Sequence, residues 1–368
     1  MDRVLGIVNL INEKQYLKEL TLNRCLASVP FGGRNRLIDF TLSNYIHANI
    51  SKVAIFAKEN YRSIMDHLGT GKEWDLDRRN GGLFFFPPMQ PNKMIHGDLE
   101  QFKDQIDFFH RSAADLVIIS PGHHVCKIDF TDVIKEHKKS KADMTVVYKA
   151  YDGEPVSKPL YNTCKIGEAG EVQDISLYTG IDEGDLVCLE TYVINKEVLI
   201  DIIETCVNNK EYDLLKDGIK ANLMKRRVNG YAFDGVLPFI HSLKTFHKSN
   251  MTLLDPNILN SFFFRDWDIF TKVKHEPPAK YSAFSKVNTA LIANGCDIEG
   301  VVENSIIFRG VKIRKGAVVK NCIIMQKGEI EEGAFLENVI TDKQVKVRKN
   351  QVVMGDLDPM VIKKGEII

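Results

Sequence analysis

Between residues 301 and 325 the apolar side chains Val301, Ile307, Ile313, Val319 and Met325 recur every six residues, and Gly310, Gly316 and Gly328 keep related spacings. A six-residue period fits neither the turn of an α-helix nor the alternation of a simple hairpin. It is the period of a hexapeptide β-helix, in which each repeat lays one short strand on a triangular coil. Stacked coils bury a line of aliphatic residues, and glycines take the corners. A set of irregular antiparallel hairpins is the competing reading. The solenoid is expected over 287–368, where its flat ends and faces suit oligomer contacts.

Upstream, strand and helix signals alternate. Val4 to Leu10, Lys52 to Ala57, Asp115 to Ser120 and Asp143 to Ala150 read as strands. Asp39 to Asn49, Asp98 to Ser112 and Phe130 to Ser140 read as helices. This order predicts a mostly parallel sheet wrapped by helices, with chemistry in the loops after Leu10 and after Ser120, at the carboxyl ends of strands. A further helix, His241 to Leu254, is expected to stop at Asp255-Pro256, and 257–285, with Pro277-Pro278, reads as a connector. The division is therefore 1–240 for the α/β part, 241–286 for helix and connector, and 287–368 for the β-helix.

Lys plus Arg equal Asp plus Glu at 49 each, which argues against a nucleic-acid partner. No segment approaches the ~20 apolar residues of a membrane span, and the opening MDRVLGIVNLINEKQY lacks the cleavage site of a signal peptide. Seven scattered cysteines without a C-x-x-C pair predict reduced thiols and a cytoplasmic location.

The run Val29-Pro-Phe-Gly-Gly-Arg-Asn-Arg-Leu-Ile-Asp-Phe-Thr-Leu-Ser-Asn44 closely resembles the segment after the nucleotide loop of ADP-glucose pyrophosphorylases, the glucose-1-phosphate adenylyltransferases. Tyr192-Val-Ile-Asn-Lys196, Asn250-Met-Thr-Leu-Leu-Asp-Pro256 and Ile292-Ala-Asn-Gly-Cys-Asp-Ile-Glu-Gly-Val-Val-Glu-Asn-Ser305 extend the likeness over nearly the whole chain. The resemblance implies a Rossmann-like nucleotidyltransferase domain in 1–240, a left-handed parallel β-helix in 287–368, and a tetramer. It implies the synthesis of ADP-glucose from ATP and glucose 1-phosphate for glycogen.

That reaction concentrates charge on phosphate oxygens. It needs close backbone N–H donors, cations and usually Mg²⁺ held by carboxylates. The family's glycine-rich phosphate loop falls on Ile7-Val-Asn-Leu-Ile-Asn-Glu-Lys-Gln-Tyr16, which contains no glycine. Its Gly-Asp-His turn is Pro121-Gly-His-His124, so His123 replaces one metal aspartate, and Phe239 replaces the second. Its Gly-Thr-Ala-Asp-Ala run maps to Gly97-Asp-Leu-Glu-Gln101, and its sugar-binding run to Leu177-Tyr-Thr-Gly180. Neutral imidazole suits Mg²⁺ poorly, and His123 and His124, adjacent on extended backbone, are expected to point apart. No catalytic residue and no metal ligand is assigned.

These departures match the non-catalytic, regulatory (GlgD-type) subunit of that family, which modulates a catalytic paralogue in a hetero-oligomer, a hetero-tetramer by resemblance. Mg²⁺ is then expected only at the catalytic partner. Homo-oligomers of this chain alone stay open. By resemblance Arg24 and Arg36 match effector-cleft positions, with Arg34 and His47 near in sequence. They are candidates for an anionic or sugar-phosphate effector, since the guanidinium fork suits such anions. Ordinary salt bridges, for example with Asp39, are the competing assignment. A divergent active nucleotidyltransferase is the alternative for the whole chain, and a ligand-sensing module a third. Phe84-Phe-Phe-Pro-Pro88 reads as a loop, either a subunit contact or packed on its own domain.

Overall fold

A computed structural model describes residues 3–89 and 95–368; Met1 and Asp2 of the opening segment lie outside them. The chain divides into two compact units, one of 1–13 and 40–237, the other of 14–39 and 238–368. The first unit thus ends at Leu237. The segment 14–39, however, belongs with the C-terminal unit rather than with the sheet.

The first unit is built on a nine-stranded sheet. Its strands are β1 (Val4–Leu10), β2 (Lys52–Ala57), β3 (Gly82–Phe86), β4 (Leu116–Pro121), β5 (Met144–Ala150), β6 (Val156–Ile166), β7 (Val172–Ile181), β8 (Leu186–Asn195) and β9 (Val228–Ala232). The order is β9-β5-β8-β4-β1-β2-β3, with the β6–β7 hairpin attached through β8. β1 pairs in parallel with β2 on one side and β4 on the other. The sheet is mixed rather than mostly parallel, because β8 runs antiparallel to both β4 and β5. Phe84 and Phe85 lie in the edge strand β3, not in a loop. There Lys52 sits 4.5 Å from the Phe108 ring centroid and 5.6 Å from that of Phe84.

Helix α1 (Leu37–His47) locks onto β1 through Tyr45, whose hydroxyl donates to the Ile7 carbonyl at 2.7 Å. The helix expected over 98–112 is two: α2 (Asp98–Asp104) and α3 (Ile106–His110). Gln105 between them leaves helical conformation at φ −116° and ψ 24°. The later helix α4 (Phe130–Lys139) starts as expected, with the Asp129 side chain capping Thr131 N.

In the second unit α5 (Leu243–Met251) carries a capping box between Ser242 and Thr245. Asp255-Pro256 does more than stop it. Asp255 caps a further helix, α6 (Pro256–Phe263), with Pro256 in its first turn, where a missing N–H costs nothing. That helix lies in the stretch expected to be connector. The segment 14–39 is tied to this layer: Gly32 N donates to Asn250 Oδ1 at 3.0 Å, and Phe31 meets Phe246 edge-on at 6.3 Å.

The remainder is a parallel β-helix. Short strands stack in register at Asp297, Lys312, Glu329 and Lys346 on one face, and at Val301, Val318, Phe335 and Val352 on another. A third face stacks Ile306, Ile323 and Ile340. Buried along the core are Val302, Ile307, Ile313, Val319, Ile324, Ile330 and Leu336. The spacing is therefore five, six, six, not a strict six. Val301 and Met325 of the expected series stand outside this line. Asn304, Asn321 and Asn338 turn the short corner in left-handed conformation, φ 43°, 49° and 53°. Their side chains form a ladder, Asn304 Nδ2 to Asn321 Oδ1 at 3.1 Å and Asn321 Nδ2 to Asn338 Oδ1 at 3.4 Å. Asparagine takes this conformation at lower cost than a β-branched residue, although Thr289 adopts it, φ 49°, at the corner of the preceding coil. Asn321→Gly is expected to change stability by less than ~1 kcal/mol, while Asn321→Val costs roughly 1–3 kcal/mol. Urea denaturation of the two variants checks the difference.

Candidate functional site

β1 is the switch point of the sheet: the chain leaves it to β2 on one side and later fills β4 on the other. Ligands of such sheets bind outside the carboxyl ends of the strands at this point. Three elements converge there: the loop after Leu10, the start of α2, and the turn after β4.

The loop after β1 is held by a carboxylate. Asp98, at the first residue of α2, is 2% exposed. Its Oδ2 accepts from Asn9 Nδ2 at 2.7 Å and from Asn12 Nδ2 at 2.9 Å. Its Oδ1 accepts from Leu214 N at 2.8 Å and Leu99 N at 3.0 Å. Asn9 in turn accepts Ile11 N through Oδ1, which orients its amide. Gly97 permits the close approach, since a Cβ there would lie 2.2 Å from the Tyr212 carbonyl oxygen. Burial, and next the charge of Asp213, push the Asp98 carboxyl up to about 7, against the donors that favour its ionised form.

His123 and His124 follow β4. Their rings do not point apart: the centroids are 4.8 Å from each other at 69°. The backbone after Pro121 has left the strand, so strand alternation no longer applies. Burial lowers His124 to about 4, which keeps it neutral near pH 7. Among the described residues no three His, Cys, Asp or Glu side chains gather as ligands for a metal. The Mg²⁺ of the family does not fit this donor set. Asp98 spends both oxygens on N–H donors, and imidazole nitrogens are poor ligands for a hard cation. Asp234 is exposed. Phe239 belongs to the other unit.

The second unit holds a separate basic cluster. Arg24 and Asp342 form a buried ion pair, 4% and 2% exposed, with Nη2 at 2.7 Å from Oδ1 and 2.5 Å from Oδ2. Arg24 Nη1 is buried without a hydrogen-bond partner. Lys343 beside it is lowered to about 7, by burial first and then by the charges of Arg36 and Arg24, with Asp342 opposing and Lys364 adding. Arg24, Arg36, Asp342 and Lys364 thus all lie within electrostatic reach of Lys343. Arg34 joins a different group, where its charge reaches Arg309 together with those of Glu276 and Asp39. His47 ends α1 and belongs to the sheet unit. Of the four sequence candidates, Arg24 and Arg36 both act through their charge on Lys343. Arg36 also touches Asp39, but through its backbone N–H, 2.9 Å from Asp39 Oδ2.

Asp342, Lys343 and Lys364 escaped the sequence reading, yet Asp342 leaves a trace in it. One coil of 17 residues earlier stands Met325, and one more Phe308, both fully buried. A carboxylate in that apolar column needs a buried cation. The strict six-residue period hid the column.

The architecture and the converging loops define a protein of the nucleotidyltransferase class that carries a hexapeptide β-helix. Residues 15–236 match the family model described as nucleotidyl transferase, and 277–359 match that of the GlmU-like C-terminal hexapeptide. The chain is 39% identical over 367 residues to the glycogen biosynthesis protein GlgD of Bacillus subtilis (strain 168), covering 99% of this chain and 96% of that one. It is 37% identical to GlgD of Geobacillus stearothermophilus, covering 86% and 83%. It is also 31% identical to the glucose-1-phosphate adenylyltransferase of Geobacillus stearothermophilus, covering 82% and 79%. The chain belongs to the GlgD and glucose-1-phosphate adenylyltransferase family. Among the described residues no helix is long and apolar enough to cross a membrane.

Two outcomes follow from the buried charges. Arg24→Ala leaves Asp342 uncompensated and is expected to cost about 3–5 kcal/mol of stability by urea denaturation. Asp98 has a folded-state pKa raised above its unfolded value. Its contribution is therefore full below about pH 4 and is lost as pH rises through about 7. Thermal melts of the wild type against Asp98→Asn between about pH 5 and about pH 8 are expected to show the wild type losing ground as pH rises.

Proposed function

We propose that the chain is a regulatory, catalytically deficient subunit of glucose-1-phosphate adenylyltransferase in glycogen biosynthesis. It modulates a catalytic paralogue in a hetero-oligomer, a hetero-tetramer by family likeness. The observation that carries this reading is the state of the nucleotide end of β1. Its loop is tied to Asp98, has no glycine from Ile7 to Tyr16, and faces two histidines where a metal carboxylate is required. Loss of one donor or charge in such a site costs roughly 10² to 10³ in rate. Losing several together removes useful turnover. The names of the relatives support the pathway: two are glycogen biosynthesis proteins and one is a glucose-1-phosphate adenylyltransferase.

Modulation requires contacts that differ between the states of the partner, and a population shift follows from them. Mg²⁺ and ATP chemistry then belong to the partner subunit. The basic cluster of Arg24, Arg36, Lys343 and Lys364 is the effector site in this reading, and it takes a compact anion such as a phosphoryl group. The unpartnered Nη1 of Arg24 supplies a donor for it.

The purified chain is expected to make no ADP-glucose with Mg²⁺ alone, to co-elute with the catalytic paralogue of the same organism, and to raise the paralogue's rate. Robust turnover by the chain alone would replace this reading with that of a divergent active enzyme. For the effector site, sulfate is the probe, because it does not titrate near neutral pH. Lys343 gains its proton as pH falls through about 7, so sulfate is expected to bind several-fold tighter at about pH 6 than at about pH 8. Lys343→Met should abolish that pH dependence in a calorimetric titration.

A further inference from the structure

The loop after β1 stands at the switch point of the sheet, the position where a fold of this kind presents N–H donors to phosphate oxygens. In this chain two side-chain donors of that loop, the amides of Asn9 and Asn12, are turned onto one oxygen of Asp98. The arrangement has the chemistry of an anion site that already holds its anion. Asp98 Oδ2 takes the two loop amides at 2.7 and 2.9 Å, while Oδ1 is anchored by two backbone N–H groups from α2 and from Leu214. The anchor side fixes the carboxylate in the sheet unit, and the clasp side fixes the loop to it. Asp213, one residue before Leu214, adds a second negative charge within electrostatic reach.

We propose that Asp98 is an internal anion that fastens the β1 loop closed, occupying from within the chain the donors that an incoming phosphate would use. The loop is inert both because it lacks glycines and because its two asparagine amides are already engaged and its centre already negative. The inference concerns the sheet unit alone and stands whether or not the chain partners a catalytic subunit.

The two oxygens allow a selective test. In Asp98→Asn the carbonyl oxygen keeps the bonds from Leu99 and Leu214. The new amide nitrogen cannot accept from Asn9 or Asn12, and the charge is gone. Hydrogen exchange read by mass spectrometry on the full-length chain at about pH 8, where Asp98 is ionised, is expected to show residues 9–13 exchanging at least about tenfold faster in Asp98→Asn, as for the loss of charge-assisted bonds. Peptides from the β-helix should be unchanged. Inorganic tripolyphosphate at millimolar concentration should then slow exchange of the same loop in Asp98→Asn and leave the wild type unaffected.

Equal loop exchange in the two proteins overturns the clasp. Equal protection by tripolyphosphate in both overturns the internal anion, as does an open loop that tripolyphosphate does not protect. If Asp98→Asn loses protection across the whole sheet, Asn12→Ala carries the test. A faster loop with an intact sheet supports the clasp, and an unchanged loop overturns it.

Discussion

A carboxylate taken out of water must be met by donors or cations, and this requirement shapes both candidate sites. Asp98 meets it with four N–H groups, two from side chains and two from backbone. Asp342 meets it with the Arg24 guanidinium and the Lys343 backbone N–H, the latter 2.7 Å from Oδ1. In each case the need of one buried oxygen pair draws together segments far apart in sequence. Asn9 and Asp98 are separated by 89 residues, and Arg24 and Asp342 by 318. The second pairing draws 14–39 into the β-helix unit, away from the sheet that its neighbours in the chain build.

The two carboxylates have different chemical consequences. Asp98 satisfies the donors around it, and the site closes on itself. Beside Asp342 a buried Nη1 of Arg24 is left without a partner. The β-helix is also self-sufficient in charge on one face. Arg314 reaches Asp297 and Glu299 on one adjacent coil and Glu329 on the other, and Lys346 pairs with Glu329 and Glu331.

Much of the fold was legible because the periods are local. The strands Val4–Leu10 and Lys52–Ala57 have the expected ends, and β4, β5 and α4 deviate by a residue. The β-helix was visible in its aliphatic repeat, though one corner of five residues, turned by asparagine, shifted its phase. The errors have physical causes. Asp255-Pro256 signals a helix end and a helix start equally well, since proline is unwelcome only inside a helix. The antiparallel β8 has the same apolar run as a parallel strand, because both are buried on two faces.

The sequence by itself determined the two architectures and the absence of glycine in the loop after β1. These are properties of residue type and short-range spacing. Only the tertiary structure decided that Asp98 is the group that closes the loop. It also decided that the His123 and His124 rings meet, and that Arg24 and Arg36 gather with Lys343 while Arg34 goes elsewhere. The reason is that burial and partnership of a charge depend on which distant segments pack around it, and no local pattern carries that information.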